Sequence, residues 1–234
     1  MAVYGGPDIV TSGLVLCLDA ANSKSYPGTG TVWNDLSGSN NNGTLTNGPT
    51  YNSNNGGSIV FDGTNDYINT NYDLSWNNTN SVSIFLYLKP NSLSLTYPFI
   101  GKGDYEWQMR QAGTSLTFVY WNTTGTHTNG PVTTITNFFT DTTNFVHIAL
   151  VWSHLNNQYY LYRNSQLTNT INWTDASINR NSAESMKIGG AIYLWGANSS
   201  YWNGMMATTH IYNRALSANE VSQNYNAIKG RFAL

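Results

Sequence analysis

Carboxylates are the first groups in this chain to test for chemistry. There are three glutamates, Glu106, Glu184 and Glu220. Retaining glycoside hydrolysis needs two carboxyl groups about 5 Å apart across the scissile bond. On a strand only alternate residues share a face. Asp104-Tyr105-Glu106 is the sole close pair of that kind, and it lacks a third carboxylate. Glu220 stands three residues after Ser217, the spacing of a helix capping box, and is claimed by that role. The chain therefore reads as non-enzymatic, with a glycoside hydrolase as the remote alternative. The four histidines, His127, His147, His154 and His210, show no paired metal-ligand spacing. No Ser-His-Asp order or glycine-rich phosphate loop stands out.

Calcium binding needs six to eight oxygens. Asp62, Asn65 and Asp66 offer oxygens within one turn, and Asp19 or Asp35 would have to converge on them. Asp62 and Asn65 equally suit Asx turns, which hold the backbone without any ion, and that is the preferred reading. No cofactor is expected, with Ca²⁺ as the exception to test. Cys17 lies in the apolar run Leu14-Val15-Leu16-Cys17-Leu18 and reads as a packed, unmodified thiol.

Aromatic neighbours are the remaining binding candidates: Tyr105 with Trp107, Tyr120 with Trp121, Tyr193 with Trp195, and Tyr201 with Trp202. Their rings suit stacking on sugars, with nearby Asn and Thr to bond hydroxyls. Core or subunit-interface packing, where Tyr and Trp are also enriched, is the preferred reading and glycan or partner binding the alternative.

These groups sit in a chain of 234 residues with a net charge of -2 and only 9% charged residues, against roughly 25% in an ordinary domain. Polarity comes from Asn, Thr, Ser, Gly and Tyr, which favour turns and strand faces. The scattered basic residues point away from nucleic acid, and no apolar run approaches the roughly 18 residues of a membrane span. No signal peptide is visible at the start of the sequence.

Period-2 alternation supplies the elements that must position any site. Strands are expected at Gly13–Ala20, on either side of Asp62-Gly63-Thr64-Asn65, and at Ser81–Lys89, 98–102, 107–110 and 116–121. Further strands are expected at 145–153, 158–164, 186–190 and 205–212. In Ser81–Lys89, Val82, Ile84, Leu86 and Leu88 share one face. The long polar region from Asn22 to Tyr51 needs anchors, for which Trp33 and Leu36 are expected. A short helix is expected over about 217–229, capped by Ser217 and Glu220 and ended by Gly230. The result is an all-β, two-sheet antiparallel sandwich with a C-terminal helix. Residues 1–12 form an arm or irregular first strand, and 13–234 form one domain.

Four blocks carry a resemblance. They are Gly13–Ala20 with Trp33–Gly38 and Asn42–Leu45; Phe61–Ile68; Phe145–Trp152; and Trp202-Asn203-Gly204-Met205-Met206 followed by His210–Val221. In this order they resemble the laminin-G-like, concanavalin A-like jelly rolls, where "W-N-G-x-(I/M)…I-Y-N-R-A-L-S-x-x-E-(I/V)" recurs. Many relatives place acidic residues where this chain has Ala207-Thr208, so functions depending on those carboxylates do not carry over. The stretch Gln223–Leu234 is similar to the C-termini of laminin-G-like proteins among bacteriophage virion components. That likeness implies a non-enzymatic virion surface protein, a capsid decoration or fibre component, made in the host cytoplasm and partnered by other virion proteins. The fold's lectin kinship implies the alternative, a carbohydrate-binding adhesion module. A sparsely charged, Tyr- and Asn-rich surface adds the expectation of a homo-oligomer, with the N-terminal arm at the contact.

Overall fold

The computed structural model describes residues 7–74, 80–103, 106–120, 133–172, 184–191 and 200–234. In chain order the strands are β1 Leu14–Asp19, β2 Val32–Trp33, β3 Gly43–Thr46, β4 Thr50–Asn52, β5 Ser58–Asp62 and β6 Tyr67–Thr70. They continue with β7 Val82–Pro90, β8 Thr96–Lys102, β9 Trp107–Ala112, β10 Ser115–Tyr120, β11 Thr133–Ile135 and β12 Val146–Ser153. The last are β13 Gln158–Arg163, β14 Gln166–Asn172, β15 Met186–Ile188, β16 Gly190–Ala191, β17 Ser200–Tyr201 and β18 Asn203–Tyr212. One α-helix, α1, spans Ala218–Ile228.

Two antiparallel sheets form the sandwich. Among the described residues the first has eight strands in the order β14-β13-β12-β7-β18-β5-β4, with β1 beside the C-terminal part of β18. The second, also of eight, runs β11-β10-β9-β8-β15-β6-β3-β2. The strand β7 shows why the sequence folds this way. Val82, Ile84, Leu86 and Leu88 enter the core between the sheets, while Phe85 and Tyr87 point outward under α1 and the segment before β1. Burying one such large side chain is worth about 1.5–3 kcal/mol, so a strand buried on both faces is a strong organiser.

The helix starts as expected. Ser217 Oγ accepts from Glu220 N, and Glu220 returns a bond from the Ser217 backbone N–H. Arg214 grips the Glu220 carboxylate with both terminal nitrogens, at 3.0 and 2.5 Å. That pairing, with the Ser217 bonds, holds the carboxyl at about 2. Gly230 does not end the helix at a left-handed cap; the chain tightens into a 3₁₀ turn over Lys229–Arg231 that contains it. The turn ties back to the sandwich through Arg231, which bonds Asp19 at 2.8 Å.

Three further expectations change. The segments around Asp62-Gly63-Thr64-Asn65 are not a hairpin: β5 pairs with β4 and β18, whereas β6 pairs with β3 and β15 in the other sheet. The Leu36 side chain is 37% exposed and does not pack as an anchor; Leu36 ties the early loop to β1 through its backbone N–H, which donates to Cys17 O at 2.9 Å, and Trp33 is fully buried. The second side-chain anchor is Asp35, whose carboxylate accepts from Cys17 N at 2.8 Å, Ser37 N at 2.9 Å and Asn41 N at 3.0 Å. Within the N-terminal arm, residues 7–12 fold onto their own chain instead of reaching away. Val10 N donates to Asn224 Oδ1, and Tyr212 Oη donates to Val10 O.

Candidate functional site

The hairpin β12–β13 positions a groove on the outer face of the first sheet. Its register pairs Val151 with Tyr160, Ala149 with Tyr162 and Ser153 with Gln158. Alternation along β13 sends Tyr159 and Leu161 into the core and leaves Tyr160 and Tyr162 on the outer face. The opposite wall is the segment Ala215–Ala218 leading into α1. That wall is held by Ser83, whose Oγ donates to Arg214 O and accepts from Leu216 N. The groove has a volume of about 400 Å³ and is floored by Val151 and Ser153.

A chain of neutral hydrogen bonds runs along it. Gln158 Nε2 donates to Asn172 Oδ1 at 2.8 Å, and Tyr160 Oη donates to Gln158 Oε1 at 2.6 Å. Asn156 Nδ2 donates to Tyr160 Oη at 2.9 Å, and Asn156 N donates to Ser153 Oγ at 3.3 Å. These bonds fix the Tyr160 ring. Burial, then the neighbouring Tyr160, pushes the Tyr162 phenol above its ordinary value, so it stays neutral at physiological pH. Aromatic faces beside amide and hydroxyl groups suit a ligand that is apolar on its ring faces and polar at its edges, the chemistry of a sugar.

The aromatic pairs singled out from sequence behave differently. Trp107 is fully buried and donates to Leu74 O at 2.9 Å. Trp202 is 1% exposed, donates to Gln111 Oε1 at 3.1 Å and packs on Phe61 and Phe99. Both are core residues. Tyr201 is half-buried and stacks on Tyr67 with ring centroids 6.4 Å apart. Tyr105, Trp121, Tyr193 and Trp195, and the side chain of Tyr120, lie outside the described residues.

The acidic candidates are engaged in local structure. Asp62 Oδ1 accepts from Thr64 N at 2.7 Å, and Asp66 Oδ2 accepts from Asp62 N at 3.1 Å. Asn65 gives its carbonyl oxygen to Asn47. Among the described residues no group of three His, Cys, Asp or Glu is arranged to hold a metal. Glu106 is 3% exposed and pairs with Lys102 at 3.1 Å, while Asp104 lies outside the described residues. Glu184 pairs with Lys187 at 2.8 Å. Cys17 is 6% exposed, and burial, then Asp19 and Asp35, raises its thiol to about 12.

Two histidines lie fully enclosed beneath α1. His147 sits against Tyr87, Phe85 and Tyr225, with ring centroids 4.9, 5.7 and 5.4 Å away, and neither ring nitrogen has a hydrogen-bond partner. Burial, then His210, lowers it to about 3. Burial lowers His210 to about 4, with Asp19 opposing and Arg231 assisting. Neutral imidazoles here are packing groups.

The chain belongs to the concanavalin A-like lectin/glucanases superfamily: the profile of its laminin-G-like branch matches residues 62–222. No curated protein sequence matches it. Similar solved structures include the binding domain of Paraclostridial Mosquitocidal Protein 1, at 17% identity and TM-score 0.70, over 92% of this chain and 52% of that one. The binding domain of botulinum neurotoxin DC in complex with rat synaptotagmin II aligns at 13% identity and TM-score 0.67, over 94% of this chain and 52% of that one. A botulinum neurotoxin type C structure, whose cell entry depends on two ganglioside molecules, aligns at 14% identity and TM-score 0.67, over 92% and 51%. At these identities the likeness establishes the jelly-roll fold, and the chain spans about half the length of the chains it matches. Among the described residues no helix is long and apolar enough to cross a membrane.

Proposed function

We propose that the chain is a non-enzymatic, lectin-like recognition module that binds carbohydrate in the Tyr160–Tyr162 groove. The observation that carries this reading is the groove itself: the half-buried Tyr160 ring, held by Asn156 and Gln158 beside the buried Tyr162, with Ser153 and Ser217 around it. Membership of a superfamily of lectins and glucanases supports it. So does the fold shared with binding domains, one of them bound to a sialylated glycan (SialylT) in its own structure. Among the described residues no Asp or Glu lines the groove, which favours binding over hydrolysis. Display on a virion surface rests on the resemblance of Gln223–Leu234, the low charge and the missing catalytic carboxylates, and mass spectrometry of purified particles tests it separately.

A glycan array with purified protein tests the module. A discrete set of binders is expected, with affinity falling about thirtyfold or more in Tyr160→Ala, the loss of a roughly 2 kcal/mol aromatic contact. A folded protein that binds no glycan, or that releases sugar from a polysaccharide, would overturn the reading.

A further inference from the structure

We infer that this groove, on the reading that it is the glycan site, selects uncharged sugars and rejects sialylated, uronic or sulfated ones. Among the described residues its lining is neutral: Val151, Ser153, Asn156, Tyr160, Tyr162 and the Ala215–Ala218 wall. The hydrogen-bond chain Asn172–Gln158–Tyr160–Asn156 is likewise made only of amides and a phenol. It holds no guanidinium or ammonium for a ligand carboxylate, the partner that gives an anion its strong charge-assisted bonds.

The one feature that would favour an anion is the N-terminus of α1 at the rim, since helix N-termini attract negative charge. That place is already taken. Glu220 lies in the first turn and accepts from Ser217 N at 2.8 Å and Ser217 Oγ at 3.0 Å. Arg214, the residue before the Ala215–Ala218 wall, has both of its terminal nitrogens on Glu220. A second anion arriving at Ser217 would therefore meet a resident carboxylate whose counter-ion is spent. A neutral hydroxyl-rich ring meets no such penalty and finds the Asn156 amide and the Ser153 and Ser217 hydroxyls in the lining.

Matched oligosaccharides with and without a terminal sialic acid or sulfate, titrated into the full chain, test the inference. Neutral members are expected to bind at least about tenfold more tightly than their charged partners. Their affinity should stay flat between about 0.05 and 0.5 M salt, because no charge is being screened. Ala218→Lys, which places a cation at the exposed rim, is expected to bring charged members up to parity. Charged members binding as tightly as neutral ones, or Ala218→Lys leaving the ratio unchanged, would overturn the selectivity while leaving the glycan reading intact. If neither kind binds, the glycan reading itself fails. Asn156→Ala, at an exposed turn position, gives a second readout should Tyr160→Ala not fold: weaker neutral binding is expected, and unchanged affinity would remove the groove from recognition.

Discussion

Acid should weaken this fold well before its carboxylates titrate, because His147 and His210 are locked neutral beneath α1. Their folded values, about 3 and about 4, lie below the roughly 6.5 of an unfolded chain. The stability these residues contribute is therefore fully present above about pH 6.5 and is lost as pH falls from there toward 3–4. At pH 5 the unfolded histidines each bind a proton almost completely while the folded ones do not. Each then costs about 1.36 × 1.5, or roughly 2 kcal/mol, so the pair costs about 4 kcal/mol between pH 7.5 and 5. Mutual repulsion does not enter in this range, since both stay neutral in the fold. The charged groups nearby, Asp19 and Arg231 beside His210, are paired with each other at 2.8 Å. Carboxylates with lowered values, Glu220 and Asp141, add to the loss only at lower pH. A loss of about 4 kcal/mol corresponds to a thermal midpoint lowered by about 8–16 °C for a domain of this size. Urea or thermal unfolding across pH 5–8 measures it. In His147→Phe, which keeps an aromatic ring among Tyr87, Phe85 and Tyr225 and removes the titrating nitrogens, the drop should fall by about half. A midpoint flat from pH 7.5 to 5, or an unchanged drop in His147→Phe, would refute the reasoning.

Loss of the helix cap in Ser217→Ala should cost about 0.5–2 kcal/mol in urea unfolding. Gly189→Ala should cost about 3 kcal/mol, because Gly189 has φ +84° and an added Cβ would sit 2.2 Å from the Phe61 ring; differential scanning calorimetry reads it. A chelator should leave the thermal midpoint nearly unchanged, in the wild type and in Asp62→Ala alike. A tight calcium site at a hundredfold excess of ion would instead add about 2.7 kcal/mol.

Much of the architecture was legible because alternation is a strong signal. The Val82–Leu88 pattern fixes which face of β7 meets the other sheet, and Ser217 with Glu220 marks the helix start through local hydrogen bonds. What local chemistry leaves open is which sheet a strand joins. Asp62-Gly63-Thr64-Asn65 makes a tight turn either way, and only the pairing of β6 with β3 and β15 shows that it crosses between sheets. Asp35 was not legible as the anchor of its loop, because its partner Cys17 is distant in sequence. Among the described candidates, Trp107 and Trp202 turn out to be core residues, the packing role preferred for them from sequence. For the adjacent pair Tyr201 and Trp202, alternation sends the two rings to opposite faces: Trp202 goes inward while Tyr201 stays half-exposed. The i, i+2 pair Tyr160 and Tyr162 was visible in Gln158-Tyr159-Tyr160-Leu161-Tyr162, and alternation marks it as the ring pair that shares a face.

Titration calorimetry with a neutral array-positive oligosaccharide, comparing wild type, Tyr160→Ala and Tyr201→Ala, tests the central claim most directly. Binding should collapse in Tyr160→Ala and persist in Tyr201→Ala, with both variants folded by circular dichroism. Persistence in Tyr160→Ala with loss in Tyr201→Ala would place recognition on the Tyr67–Tyr201 face and contradict the assignment of the groove.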